Sequence, residues 1–95
     1  MSKQKYRSEI GIILDILNLL ESSGQNGVIV SAISRTANVS NNSVNQRCQK
    51  LVKGGFITHE RNSKNCKYTI TEKGIEFAVI LRQFAYTARL LDIRY

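Results

Sequence analysis

The chain has no proline and no tryptophan, a single histidine and only two cysteines, and each scarcity narrows what the molecule can be. The missing Pro and Trp, beside abundant Ile and Asn, point to an AT-rich genome. Cys48 and Cys66 lack C-x-x-C spacing and have only His59 for company, so four good metal ligands are not to be found and no metal site is expected. Both cysteines read as small buried hydrophobes; a disulfide is the alternative for a hyperthermophilic host. No run of about 18 apolar residues occurs, which excludes a spanning helix. The opening MSKQKYRSEIG is basic but carries no signal-peptide cleavage pattern, so a cytoplasmic location at the nucleoid is expected. Catalysis is not expected either. His59 and its neighbour Glu60 would point to opposite faces of a strand, and neither a nucleophile–base arrangement nor a phosphate-cradling glycine loop is visible. Nothing calls for a cofactor or a small-molecule ligand.

What is present is basic charge in one place. The net charge is +7 with 42% apolar residues, a globular composition for one domain with a modest core. Residues 1–31 are neutral overall, residues 32–73 carry +6, and the remainder +1. A merely solvated surface has no reason to collect the excess on the middle segment. A nucleic-acid face does.

The pattern along the chain gives the elements. Ser8 is placed to cap a first helix that ends near Ser22–Gly24, apolar at Ile10, Ile13, Leu14, Leu17 and Leu20 with only a narrow polar seam. A turn at residues 23–27 leads to a short β-type run, Val28-Ile29-Val30. Ser31 can cap a brief second helix to Ala37, Asn38 suits a left-handed turn position, and Ser40 caps a third helix ended by Gly54-Gly55. Two strands follow, residues 56–61 and 66–70, joined by a polar turn; Cys66, Tyr68 and Ile70 alternate with Lys67 and Thr69. Thr71 can cap a long last helix reaching about Asp92. Helix, short strand, helix, turn, helix, hairpin, helix is the order of a winged helix-turn-helix. The expected fold class is therefore α+β, mainly α: a three-helix core with a β-hairpin wing over residues 1–74, continuous with a C-terminal helix over 75–95.

The third helix carries the functional signal. Val44, Cys48, Leu51 and Val52 form one apolar stripe. The other side holds Asn41, Asn42, Ser43, Asn45, Gln46 and Gln49, which can pair with base edges, and Arg47, Lys50 and Lys53, which with Arg35 can hold phosphates. In such a fold helix 41–53 enters the major groove and wing 58–68, with Arg61, Lys64 and Lys67, lies on the adjacent backbone or minor groove.

Three stretches, KYRSEIGIILDIL at 5–17, ANVSNNSVNQRCQKLVKGGFI at 37–57 and YTITEKGIEF at 68–77, resemble the small archaeal winged-helix DNA-binding regulators, the ten-kilodalton proteins of Sulfolobus-like archaea and their viruses. The resemblance covers nearly the whole chain and departs at Cys48, where such proteins often carry a larger apolar or aromatic residue. It implies a homodimer joined through the C-terminal helix, major-groove contacts from residues 41–50, and wing contacts from Arg61 and Lys64.

The last helix supports pairing independently. Phe77, Leu81, Phe84, Ala88, Leu91 and Tyr95 are spaced as a heptad seam, the expected coiled-coil dimer interface. A second stripe, Ile75, Val79, Tyr86, Leu90 and Ile93, runs along another face. One small domain cannot cover both. The function expected is sequence-specific regulation of transcription by a homodimer on double-stranded DNA. An architectural DNA binder would place Lys or Arg throughout the third helix's outer face, and a protein-interaction module would show an apolar or acidic patch there.

Overall fold

The computed structural model describes residues 8–62 and 64–93. In chain order it has α1 (Glu9–Ser23), a single 3₁₀ turn (Gly24–Asn26), β1 (Val28–Ile29), α2 (Val30–Ala37), α3 (Asn41–Lys53), β2 (Ile57–Arg61), β3 (Cys66–Ile70) and α4 (Glu72–Leu90). The expected winged helix-turn-helix is the fold observed.

Local chemistry sets the helix ends. The Ser8 hydroxyl accepts from the Gly11 amide at 3.0 Å and the Ser40 hydroxyl from the Ser43 amide at 3.1 Å, each satisfying a donor that a helix start leaves unpaired. Asn38 takes the left-handed conformation (φ 59°, ψ 47°) that ends α2 and turns the chain into α3. The Val39 amide returns to the Ser34 carbonyl at 3.2 Å, and Val39 packs on the core. At the end of α3, Gly55 (φ 82°) donates to the Val52 carbonyl at 3.0 Å and Phe56 to that of Leu51 at 2.9 Å. This pairing of the last carbonyls needs a left-handed residue at Gly55 alone. Gly54 stays right-handed, and a Cβ there would sit 2.6 Å from the Phe56 ring.

Two boundaries differ from the sequence reading. Val30 begins α2 instead of ending β1, and Ser31 is not its cap; Ile29 stands at that position without a side-chain bond. The strand stops early because β1 pairs with β3 only through Val28↔Tyr68 and Ile29↔Lys67, and Val30 turns in to pack on the core. Phe56 lies outside β2 because its amide is committed to the end of α3.

The sheet has the order β1-β3-β2, antiparallel throughout. Its register pairs Ile57 with Ile70, His59 with Tyr68 and Arg61 with Cys66. Because β3 is central, even its outward Lys67 and Thr69 are half-covered, whereas edge strand β2 is exposed beyond Ile57. Ile16, Leu17, Leu20, Ile33, Val44, Cys48 and Ile57 form the fully buried centre, which fixes α3 against α1 and α2.

The buried face of α4 is Gly74, Ala78, Leu81, Ala85 and Ala88, a run of mostly small residues along a helix packed on α1. Arg82 clasps the pair, donating to Asn18 Oδ1 at 2.7 Å and to Glu21 Oε1 at 3.0 Å. This divides the expected seam. Leu81 and Ala88 face the protein's own interior and Phe77 is half-buried, its ring centroid 4.6 Å from that of Phe56. Phe84 and Leu91 are exposed, and Tyr95 lies outside the described residues. The physical reason is that alanines and a glycine permit close helix approach while adding little to an apolar pattern judged by large side chains.

The start of α4 is seated on the α3–β2 corner. The Thr71 amide donates to the Phe56 carbonyl at 3.1 Å, while its hydroxyl donates to the Gly55 carbonyl at 2.7 Å and accepts from the Gly74 amide at 3.0 Å. A Cβ on Gly74 would overlap the Phe56 carbonyl oxygen, a backbone atom that has no room to retreat. Gly74→Ala should therefore destabilise by about 1–3 kcal/mol despite alanine's better helix propensity. Thermal unfolding followed by circular dichroism should show a midpoint lowered by several degrees; a raised midpoint would contradict the seating.

Candidate nucleic-acid interface

The outer side of α3 stands as a ridge between two open grooves. Asn41, Asn42, Asn45, Gln46, Gln49, Lys50 and Lys53 are exposed on it. On the wing side, a groove of about 720 Å³ runs between Asn41, Asn42, Asn45, Gln49 and Lys53 of α3 and His59, Arg61, Cys66 and Tyr68 of the hairpin. On the other side, about 540 Å³ is bounded by Gln46, Arg47, Gln49, Lys50, Lys53 and Glu9 of α1. Gln49 and Lys53 border both. The amides thus occupy the crest and the cations its C-terminal end, where the helix dipole also favours positive charge.

The structure brings most of the expected site residues together. Arg61 and the helix amides share the wing-side groove. Lys64 is exposed in the turn that Asn62 organises, its Oδ1 accepting from the Lys64 amide at 2.9 Å and the Asn65 amide at 2.7 Å. Arg35 is exposed in the last turn of α2 but lines neither groove. Lys67 is half-covered on the central strand, between Glu60 and Ile29 in register.

Arg47 is different. Its Nη2 lies 2.8 Å from Glu9 Oε1, and its Nη1 donates to the Ser43 hydroxyl at 2.6 Å and the Ser43 carbonyl at 3.2 Å. Its side chain is 19% exposed. The expected role as a phosphate contact needs a free guanidinium, and this one is engaged three times within the chain. Ser43, expected to read bases, is half-buried and holds two of those bonds, one of them through its hydroxyl.

Sequence reasoning missed Glu9, which comes from 38 residues away along the chain with no local signal to announce it. It also missed the groove's far wall. His59 is exposed, and it also stacks on Tyr68 with centroids 5.1 Å apart while its Nε2 meets the Cys66 sulfur at 2.7 Å. The alternation of Cys66 and Tyr68 was the available signal. Both cysteines are free, but only Cys48 is the buried hydrophobe expected; Cys66 is half-buried because it stands at the turn end of the hairpin, paired with Arg61. Lys73 is likewise committed, donating to the Gly54 carbonyl at 2.7 Å with its ammonium 4.8 Å over the Phe56 ring.

Among the described residues, no three of His, Cys, Asp and Glu are grouped to hold a metal ion, and no helix is long and apolar enough to cross a membrane.

A helix-turn-helix whose second helix, α3, is exposed between a hairpin wing and the start of α1 defines a class of fold, and the sequence agrees with it. The chain belongs to the winged helix-turn-helix family, whose model matches residues 6–89. Comparison with curated proteins gives no match. Among solved structures the chain is similar to Sso10a-2, a DNA-binding protein from Sulfolobus solfataricus, with TM-score 0.78 and 21% identity over 90% of this chain and 85% of that one. It is similar to MepR, a transcription regulator of a Staphylococcus aureus multidrug efflux pump, with TM-score 0.70 and 16% identity over 84% of this chain and 61% of that one. BldR, a transcriptional regulator from Sulfolobus solfataricus, gives TM-score 0.71 and 16% identity over 85% of this chain and 60% of that one. The chain therefore spans about 60% of the length of the latter two.

Two ionisable groups behind the wing-side groove make stability depend on alkaline pH. Burial, reinforced by nearby Cys66, pushes the Cys48 thiol from 9.0 up to about 12. Burial first, then Cys48 and Cys66, pushes the Tyr68 hydroxyl from 10.0 up to about 12, with Arg61 opposing. Below pH 9.0 both groups are protonated whether the chain is folded or not, and they leave stability unchanged. Between pH 9.0 and about 12 the unfolded chain releases protons that the folded chain retains, so stability falls. Denaturant midpoints should be level up to about pH 9 and decline above it, less steeply in Cys48→Ala; a midpoint independent of pH up to about 11 would contradict the burial of these groups.

Proposed function

We propose that this chain is a sequence-specific double-stranded DNA-binding regulator of transcription that acts as a homodimer inside the cell. The observation that carries the reading is the composition of the α3 ridge: five exposed amides on its crest and Lys50 and Lys53 at its end, facing outward between two grooves. A ridge of α-helical width suits the major groove, which at about 12 Å admits one helix. There Asn41, Asn42, Asn45, Gln46 and Gln49 meet base edges, with Ser43 beside them. Lys50, Lys53 and Arg35 hold phosphates, and the wing places Arg61, Lys64 and Lys67 on the adjoining backbone or minor groove. Amides give little affinity from charge, so a face built of them gains most by reading bases. The similar proteins support the same direction. Sso10a-2 is described as DNA-binding, MepR and BldR as transcription regulators, and a single-residue variant of MepR has been solved bound to an oligodeoxyribonucleotide.

In this reading residues 1–74 form the DNA-binding part and residues 75–95 the pairing element. The pairing face is the second stripe, Ile75, Val79, Tyr86 and Leu90 of α4 with Ile93 just past the helix end; all are exposed, Tyr86 and Leu90 at 62% and 67%. Exposed apolar side chains of that size in water favour association, and a two-fold axis lets the same stripe cover itself. Phe84 and Leu91 of the other seam, also exposed, extend the contact.

Selection of bound duplexes from random DNA at physiological salt tests both parts. The wild type should enrich two related half-sites in inverted orientation. Tyr86→Asp combined with Leu90→Asp, both at positions the fold does not need, should sediment as a monomer and enrich a single half-site. A flat profile would favour an architectural DNA binder instead, and paired half-sites bound by an unaltered dimer of the variant would refute the α4 interface.

A further inference from the structure

Resting on the reading of α3 as the DNA-contacting helix, we propose that Arg47 is a positioning residue which, held by Glu9, makes the Ser43 hydroxyl a hydrogen-bond donor toward DNA and thereby biases one base position against cytosine. Turning to a phosphate would cost Arg47 every bond that holds its guanidinium. Its guanidinium is bonded to Glu9 Oε1 at 2.8 Å, to Ser43 Oγ at 2.6 Å and to the Ser43 carbonyl at 3.2 Å. All three bonds would break, and the Glu9 carboxylate would lose its guanidinium on the wall of the groove that Gln46, Lys50 and Lys53 also line. The Arg47 Nε is buried with no partner among the described residues, so the stem of the side chain is enclosed between α1 and α3. DNA seated on the ridge would exclude water from the ion pair and strengthen it, since charges attract more in a lower dielectric.

The consequence falls on Ser43. A serine hydroxyl has one proton to donate and two lone pairs with which to accept. Arg47 Nη1 occupies one lone pair, and the positive charge 2.6 Å away discourages a second donor from approaching the same oxygen. What remains favourable is donation. In the major groove guanine offers N7 and O6, adenine N7 and thymine O4 as acceptors, whereas cytosine offers only its N4 amine, a donor. The Glu9–Arg47–Ser43 chain therefore fixes the sense of a hydrogen bond that an isolated serine would leave undetermined. It also ties the first turn of α1 to the first two turns of α3, setting the angle at which the neighbouring Asn42 and Gln46 are presented.

A lysine in place of Arg47 separates this role from a phosphate contact. Lysine keeps the charge and would serve a phosphate as a point charge, but it lacks the planar fork that spans Glu9 and Ser43 together. The experiment measures affinity of the full chain for its selected duplex and for every single-base-pair variant of it, across a salt series. Arg47→Lys and Ser43→Ala should each reduce discrimination about tenfold at one shared base pair, the double variant no further than either alone, with the salt dependence unchanged. Glu9→Gln, which adds a net positive charge, should nevertheless weaken discrimination at that same pair. Unaltered helix content and sedimentation confirm that each variant is folded. Full discrimination retained by Arg47→Lys would overturn the inference, as would Glu9→Gln tightening binding equally on all sequences. A wild type that binds duplex DNA with no base preference would overturn the reading of α3 and this inference together, and so is distinguishable from either result.

Discussion

The arrangement turns on how closely the first turn of α4 approaches the corner between α3 and β2. The Phe56 carbonyl receives the Thr71 amide at 3.1 Å and lies where a Gly74 side chain would otherwise be. Three elements meet at that point: the left-handed end of α3, the first residue before the wing, and the start of α4. Lys73 reinforces it from the outside through the Gly54 carbonyl. Because α3, the hairpin and α4 share this junction, the orientation of the ridge is coupled to the direction in which α4 leaves. In a pair of chains joined along α4, the separation of the two ridges would follow from the same contact.

The charge on the outer surface is sorted more finely than its sum implies. Of the cations in the basic middle segment, Arg47 and Lys73 are committed within the fold, and Lys67 is half-covered by its neighbouring strands. Lys50, Lys53, Arg61 and Lys64 are exposed around the two grooves and the wing turn. The crest between them is amide. In the proposed reading, affinity for a polyanion and the ability to distinguish bases would rest on different side chains of one helix, with the Glu9 carboxylate standing where phosphate attraction alone would exclude one.

Much of this is legible in the sequence because the signals are local. Ser8, Ser40 and Thr71 stand as caps where expected, the hairpin strand Cys66–Ile70 is readable from alternation, and the stripe Val44, Cys48, Leu51 gives the inner face of α3. What is not legible depends on contacts distant in sequence. Nothing near Arg47 announces Glu9, and nothing near His59 announces that β3 will place Tyr68 and Cys66 beneath it. The inner face of α4 escapes for another reason. The heptad spacing sends Leu81 and Ala88 outward with the large residues of their seam, while the alanines that let α4 lie on α1 carry too weak an apolar signal to compete. Val30 shows the same limit on a smaller scale: a β-branched residue opens α2 because the core there requires it.

Amide NMR of the isotopically labelled chain during titration with duplex DNA shows directly whether the α3 ridge and the wing form the DNA-binding face. Shifts should concentrate in residues 41–53 and 59–67, saturating with the duplex and weakening as salt is raised, while amides of residues 75–90 change little. Shifts concentrated on the outer face of α4, with residues 41–53 unaffected, would contradict that reading.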